Sequence, residues 1–127
     1  MNTGSNKLAV EGTIGARKVI VTQTNPFPDY VFKPGYRLSP LDSISLYIHV
    51  HHHLPEIPSA DSVATNGLDL GGNQVLLLKK IEELTLYAIE QNKQYREQGR
   101  QLAAMRKELN KLKKQAAVSG FAETPSR

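Results

Sequence analysis

The chain has 127 residues, a net charge of +4, no Cys, no Trp, three Phe and 39% hydrophobic residues, enough for one domain but not for a sizeable private core, so association between copies is expected. The missing cysteines exclude a disulfide scaffold, a thiol nucleophile and Cys-ligated zinc. No apolar run approaches the roughly 18 to 20 residues that span a bilayer, and the N-terminus lacks a basic-then-apolar leader, so the chain reads as soluble, without membrane insertion.

Residues 1–21 form the first segment. In "KLAVEGTIGARKVIV", Lys7 to Val21, Leu8, Val10, Ile14 and Ala16 alternate on one face, and Val19 and Val21 resume the pattern after a one-residue slip. That period of two predicts short β-strands with a bend at Gly12 or Gly15. A strand pair so small is marginal alone in water, so pairing with other copies is expected, as in an intertwined fibre.

Residues 22–72 change texture. Pro26, Pro28, Pro34 and Pro40 forbid a long helix there. Ser39, Pro40 and Asp42 have the order of an N-cap, a first helical position and an acid in the first turn, which predicts a helix from about Pro40 to His52. Leu41, Ile44, Tyr47 and Ile48 would form its buried stripe, and "LPEIP" would stop it. A second short helix is expected over Ser59 to Thr65, closed by Asn66 and Gly67. The segment as a whole reads as a small Pro-rich helix-turn-helix head.

Residues 73–117 contain no proline, and apolar or uncharged residues recur at alternating steps of four and three. Ile81, Ala88, Tyr95, Leu102, Leu109 and Ala116 fall at heptad position a; Leu77, Leu84, Gln91, Gln98, Met105 and Leu112 fall at d. This is the seam of a coiled coil. Leu76, Leu78, Leu86, Tyr87 and Ile89 widen the apolar face at its start, where packing against the Pro-rich segment is expected. Glu108 at g can reach Lys113 at the next e of a neighbour, which favours parallel helices. Two polar d layers, Gln91 and Gln98, with Tyr95 between them need axial room, and a trimer supplies it better than a dimer. Residues 118–127 read as a flexible tail. The predicted fold class is therefore α+β: N-terminal strands, a Pro-rich head and a long C-terminal α-helix in a parallel trimeric coiled coil.

Much of the positive charge lies in "MRKELNKLKK", Met105 to Lys114. On a helix such a run reads as a solvated face, and without a recognised motif or an aromatic-basic groove no nucleic-acid partner is expected. Paired-carboxylate spacing, GxSxG, a phosphate loop and HExxH are all missing, so the chain is read as non-enzymatic, with no catalytic residue and no cofactor.

The stretches "PDYVFKPGYRLSPLDSISLYI", "HLPEIPSADSVATNGLDLG" and "LLLKKIEELTLYAIEQNK" resemble the C-terminal module of bacterial tail-fibre-domain proteins, which are phage-tail-fibre-like or cell-surface chains. The upstream "KLAVEGTIGARKV" resembles the strand repeat that precedes this module, so the resemblance spans residues 7–94. It implies a homotrimeric fibre end that registers three chains and caps or attaches a fibre. It also implies an extracellular, cell-surface or phage-tail-like location, with other fibre or contractile-tail components as further partners. A receptor-binding, adhesin-like tip is the alternative, with Phe27, Tyr30, Phe32 and Tyr36 as its candidate patch. An autoproteolytic fibre chaperone is a third, but a Ser-Asp followed by basic residues is not found in "GSNKLAVEG". The family pattern departs at Gly72 and Asn73, where a flexible loop into the long helix is expected.

All four histidines lie in "HVHHH", His49 to His53, and only His53 matches the family's approach to "HLP". On a helix His49 and His53 would share a face at i and i+4; on a strand His49 and His51 would form an HxH pair like that of some phage fibre tips. The reading taken is a helix end, where imidazoles favour the negative pole, and no metal. His49, His51 and His53 are the candidate ligands should one bind.

Overall fold

The computed structural model describes residues 6–22 and 26–122. Among these there is no β-strand, which overturns the α+β expectation: the described architecture is helical. A 3₁₀ turn over Pro28–Phe32 precedes α1 (Leu41–His51), α2 (Ala60–Asn66) and α3 (Leu70–Ala122). Of the expected strand segment, residues 1–5 lie outside the described residues. The rest is irregular. A strand needs a neighbouring backbone to take its N–H and C=O groups, and the alternating apolar face here has no surface to cover; Leu8 and Ile14 are exposed. Gly12, at φ 155°, interrupts the run with a backbone conformation that side-chain-bearing residues rarely adopt.

Helix α1 starts one residue later than its expected cap allows. The amides of Ser43 and Ile44 bond to the carbonyl of Pro40, at 3.0 and 3.2 Å, so Pro40 rather than Ser39 occupies the cap position, and no side chain caps it. Of the expected stripe only Ile44 and Tyr47 are half-buried, whereas Leu41 and Ile48 are exposed. The helix ends at His52, which takes a left-handed conformation at φ 59° and donates its amide to the Ile48 carbonyl at 2.8 Å. Helix α2 is bounded as its residues dictate. The Ser59 hydroxyl accepts from the Ser62 amide at 3.2 Å, and Gly67, at φ 75°, donates to the Val63 carbonyl at 2.8 Å.

Helix α3 is 53 residues long, about 80 Å at 1.5 Å per residue. It begins three residues before the expected Asn73, so Gly71, Gly72 and Asn73 are helical instead of a flexible loop. Asp69 stands just ahead, its carbonyl accepting from the Asn73 amide at 2.9 Å. Its carboxylate lies over the first turn, in the space that a Cβ on Gly72 would need. At the far end the helix continues to Ala122, through part of the expected flexible tail; residues 123–127 lie outside the described residues. No helix among the described residues is long and apolar enough to cross a membrane.

The head folds back on the first turns of α3. The 3₁₀ turn packs on this helix, with Pro28 and Val31 fully buried, while α1 and the turn after it lie along another flank. From Glu90 to Gly120 every α3 side chain is exposed.

Candidate functional site

The head holds α3 through a chain of polar contacts across 23 to 48 residues of sequence. The Tyr36 hydroxyl donates to Glu83 Oε1 at 2.5 Å, and Lys80 Nζ bridges Glu83 Oε2 at 2.9 Å and Glu56 Oε2 at 2.7 Å. Lys79 Nζ takes the other Glu56 oxygen at 2.5 Å, and the Tyr87 hydroxyl donates to the Ser39 carbonyl at 2.5 Å. Ser39, expected to cap α1, thus ties that helix to α3 instead.

These contacts set the local electrostatics. Burial raises the Tyr36 hydroxyl above its ordinary value, and the hydrogen bond to Glu83 raises it further. Burial also pushes the Glu56 carboxyl up, but hydrogen bonds from Lys79 and Lys80 outweigh it and hold the group below the usual carboxylate range. For Lys80 burial lowers the ammonium, and its bonds to Glu56 and Glu83 reverse the sign. Glu56 sits at φ 69°, a left-handed conformation unusual outside Gly and Asn, and its double ion pair is what stands against that strain.

One acid of α3 is buried without an ion pair among the described residues. Glu82, only 7% exposed, has an Oε2 atom with no hydrogen-bond partner. Loss of water raises its carboxyl, and the charge of Asp29 on the 3₁₀ turn adds to that. Sequence patterning gave no sign of this group, since a Glu at a b position ordinarily faces water.

The seam residues stand in contrast to their flanks. Leu76, Leu78, Leu86 and Tyr87 are half-buried under the head, whereas Leu77, Ile81 and Leu84, at d, a and d, are 41%, 58% and 64% exposed. The head's polar contacts fall on the other positions, while Leu77 and Ile81 form part of one groove beside it and Leu84 part of another. Lys79, Lys80, Glu83 and Tyr87 occupy f, g, c and g and face α1; Val75 and Leu78 occupy b and e and line a groove with Val19, Val21 and Phe27. The stripe runs on uncovered through Ala88, Gln91, Tyr95, Gln98, Leu102, Met105, Leu109 and Leu112. Gln91 Nε2 and the Tyr95 hydroxyl lie 3.5 Å apart, linking a d and an a position along the stripe.

The histidines stand at the helix end, with His49 and His51 in the last turn of α1 and His52 at its cap, as the helix-end reading expects; neither of the two ligand geometries forms. Because α1 ends at His51 and the chain turns at His52, His53 is not on the helix, so His49 and His53 do not share an i, i+4 face; nor is there a strand to align His49 and His51. The turn instead gathers His51 and His53 around Tyr47. The His51 ring lies 4.2 Å from that of Tyr47, His53 meets the same ring edge-on at 5.6 Å, and the two imidazoles are 6.1 Å apart. His53 Nδ1 lies 2.9 Å from the Leu54 carbonyl. Among the described residues no three His, Asp or Glu side chains converge where they could hold a metal.

Of the candidate receptor patch, Phe27 and Phe32 are exposed, whereas Tyr36 is half-buried, tilted against Tyr30 at 6.0 Å and committed to Glu83. No family model, curated protein or solved structure matches the chain.

Proposed function

We propose that this chain is a non-enzymatic trimerisation module: three copies register through a parallel coiled coil along α3, and the assembly caps or attaches a tail-fibre-like or surface fibre. The observation that carries the reading is the uncovered heptad stripe. The head brings apolar residues to both flanks of α3 and leaves open the positions that a coiled coil buries, Leu77, Ile81 and Leu84. A helix of 53 residues with an exposed stripe of this length gains far more from a partner helix than from water. The fibre or surface setting rests on the resemblance of residues 7–94 to the tail-fibre module.

Sedimentation equilibrium at micromolar concentration tests the assembly. The chain has a mass of 14.1 kDa, so three copies give about 42 kDa. A species at 14.1 kDa overturns the proposal, and one at twice that mass replaces the trimer with a dimer.

A further inference from the structure

The cleft between α1 and α3 has a volume of about 430 Å³, and Leu41, Ile44, Leu54, Leu84 and Tyr87 supply its apolar wall. Leu41 and Leu84 are 60% and 64% exposed, so the chain's own residues do not fill it. Its position on the heptad is specific. Lys80 and Tyr87 are g residues and Leu84 is a d residue, so the cleft opens on the g flank of the seam. The other groove, with Leu78 and Ile81 on its floor, lies on the e flank. In a parallel coiled coil the g flank of one helix faces the e flank of the next, and each g residue meets the e residue five positions on.

We infer that a second copy of this chain completes the α1–α3 cleft, the e flank of its α3 from Thr85, opposite Lys80, to Asn92, opposite Tyr87, seating against Leu41 and Ile44. The inference rests on the parallel-seam reading and adds an interface to it: the head of each copy grips the helix of its neighbour. Charge supports this occupant. The e residues at the head end are Leu78, Thr85 and Asn92, all uncharged, whereas those further on include Arg106 and Lys113. An uncharged flank suits a mainly apolar cleft whose two lysines are already bonded to Glu56 and Glu83, and which an added cation would bring up against Arg37. The two flanks are unlike, so the contact is heterologous, and three parallel copies around one axis close it into a ring.

The test uses the full chain with Leu41→p-benzoylphenylalanine, a photoreactive residue at an exposed position, mixed and reannealed with an excess of copies carrying heavy nitrogen. A second variant, Leu112→Cys, reports the distal seam independently by forming disulfide-linked dimers on oxidation. After irradiation and tryptic digestion, the residue-41 peptide should be joined mainly to the heavy form of the peptide Ile81 to Lys93. Disulfide-linked Leu112→Cys dimers together with residue 41 joined only to light peptide, or to none, overturn the cleft assignment and leave the seam standing. Absence of both the disulfide and the heavy link overturns the two together.

Discussion

Replacing Leu84 by Asp separates a seam that is buried between copies from one that faces water. Within a single chain Leu84 is already 64% exposed, so the substitution removes little intramolecular packing and should cost under about 1 kcal/mol if the chain works alone. Buried against neighbouring helices, the same residue loses more. Full burial of a Leu contributes about 1.5 to 3 kcal/mol, and the 64% still open in the single chain corresponds to about 1 to 2 kcal/mol per copy. Three unpaired carboxylates meeting at one axial layer add several kcal/mol each. The sum exceeds what a small assembly can lose, so Leu84→Asp should abolish the trimer at micromolar concentration. Leu112→Asp, where no head packs alongside, should only fray the end of α3. The assay is thermal melting by circular dichroism at several concentrations, with sedimentation of each variant. An unchanged melting temperature and mass for Leu84→Asp would refute the reasoning; equal damage from Leu112→Asp would refute the division between a broad proximal core and a narrow distal one.

Tyr36→Phe keeps the ring against Tyr30 but removes a hydrogen bond to a carboxylate, so it should destabilise the head by about 1.5 to 3 kcal/mol in urea unfolding; a change under about 0.5 kcal/mol would show the contact contributes nothing. The two shifted acids of the head should respond to pH with opposite signs. Glu56 is held below the usual range, so its stabilisation is present above about pH 4.3 and is lost as pH falls through the lower folded value, a loss that Glu56→Gln should suffer at every pH. Glu82 is raised, so its contribution is present below about pH 4.3 and is lost as pH rises through the folded value; Glu82→Gln should therefore melt higher than the parent at pH 7 and converge with it in acid. Gly99 lies mid-helix with open space where a Cβ would go, so Gly99→Ala should stabilise α3 by about 0.8 to 1 kcal/mol, read as a higher melting temperature. His49→Gln with His51→Gln should lower stability by less than about 1 kcal/mol, the loss coming from the His51–Tyr47 stack, and a chelator should leave the melting temperature of both proteins unchanged.

The parts of this fold that could be read from the sequence are those whose causes are local. Ser59 and Gly67 bound α2 because a hydroxyl and a missing Cβ act within three or four residues, and the spacing from Leu77 to Leu112 marks a long amphipathic helix. The alternation of Leu8, Val10, Ile14 and Ala16 is equally local, but a strand is a relation between two backbones, and the pattern alone could not supply the second one. The end of α1 near His52 was legible from "LPEIP", but the left-handed conformation that His52 adopts there, usually given to Gly, was not, and it is this turn that takes His53 off the helix and away from His49. The site contacts are legible least of all. Tyr36 and Glu83 are 47 residues apart and Glu56 and Lys79 are 23 apart, and neither pair carries any periodic signal until the head is folded onto α3.

From Gln91 to Gly120 the helix touches nothing else among the described residues, and its side-chain support is thin: Glu97 contacts Arg100 and Gln101, and Glu90 lies 3.9 Å from Lys93. Such contacts are worth a few tenths of a kcal/mol each, which leaves a solitary helix of this length close to the balance point between coil and helix. Dilution should then act on the two ends of the molecule unequally. On the proposed assembly, backbone amides beyond Tyr95 should exchange with deuterium as soon as copies separate, while those beneath Tyr36 and Glu83 stay protected, so the distal helix would act as a gauge of local chain concentration and the head would not.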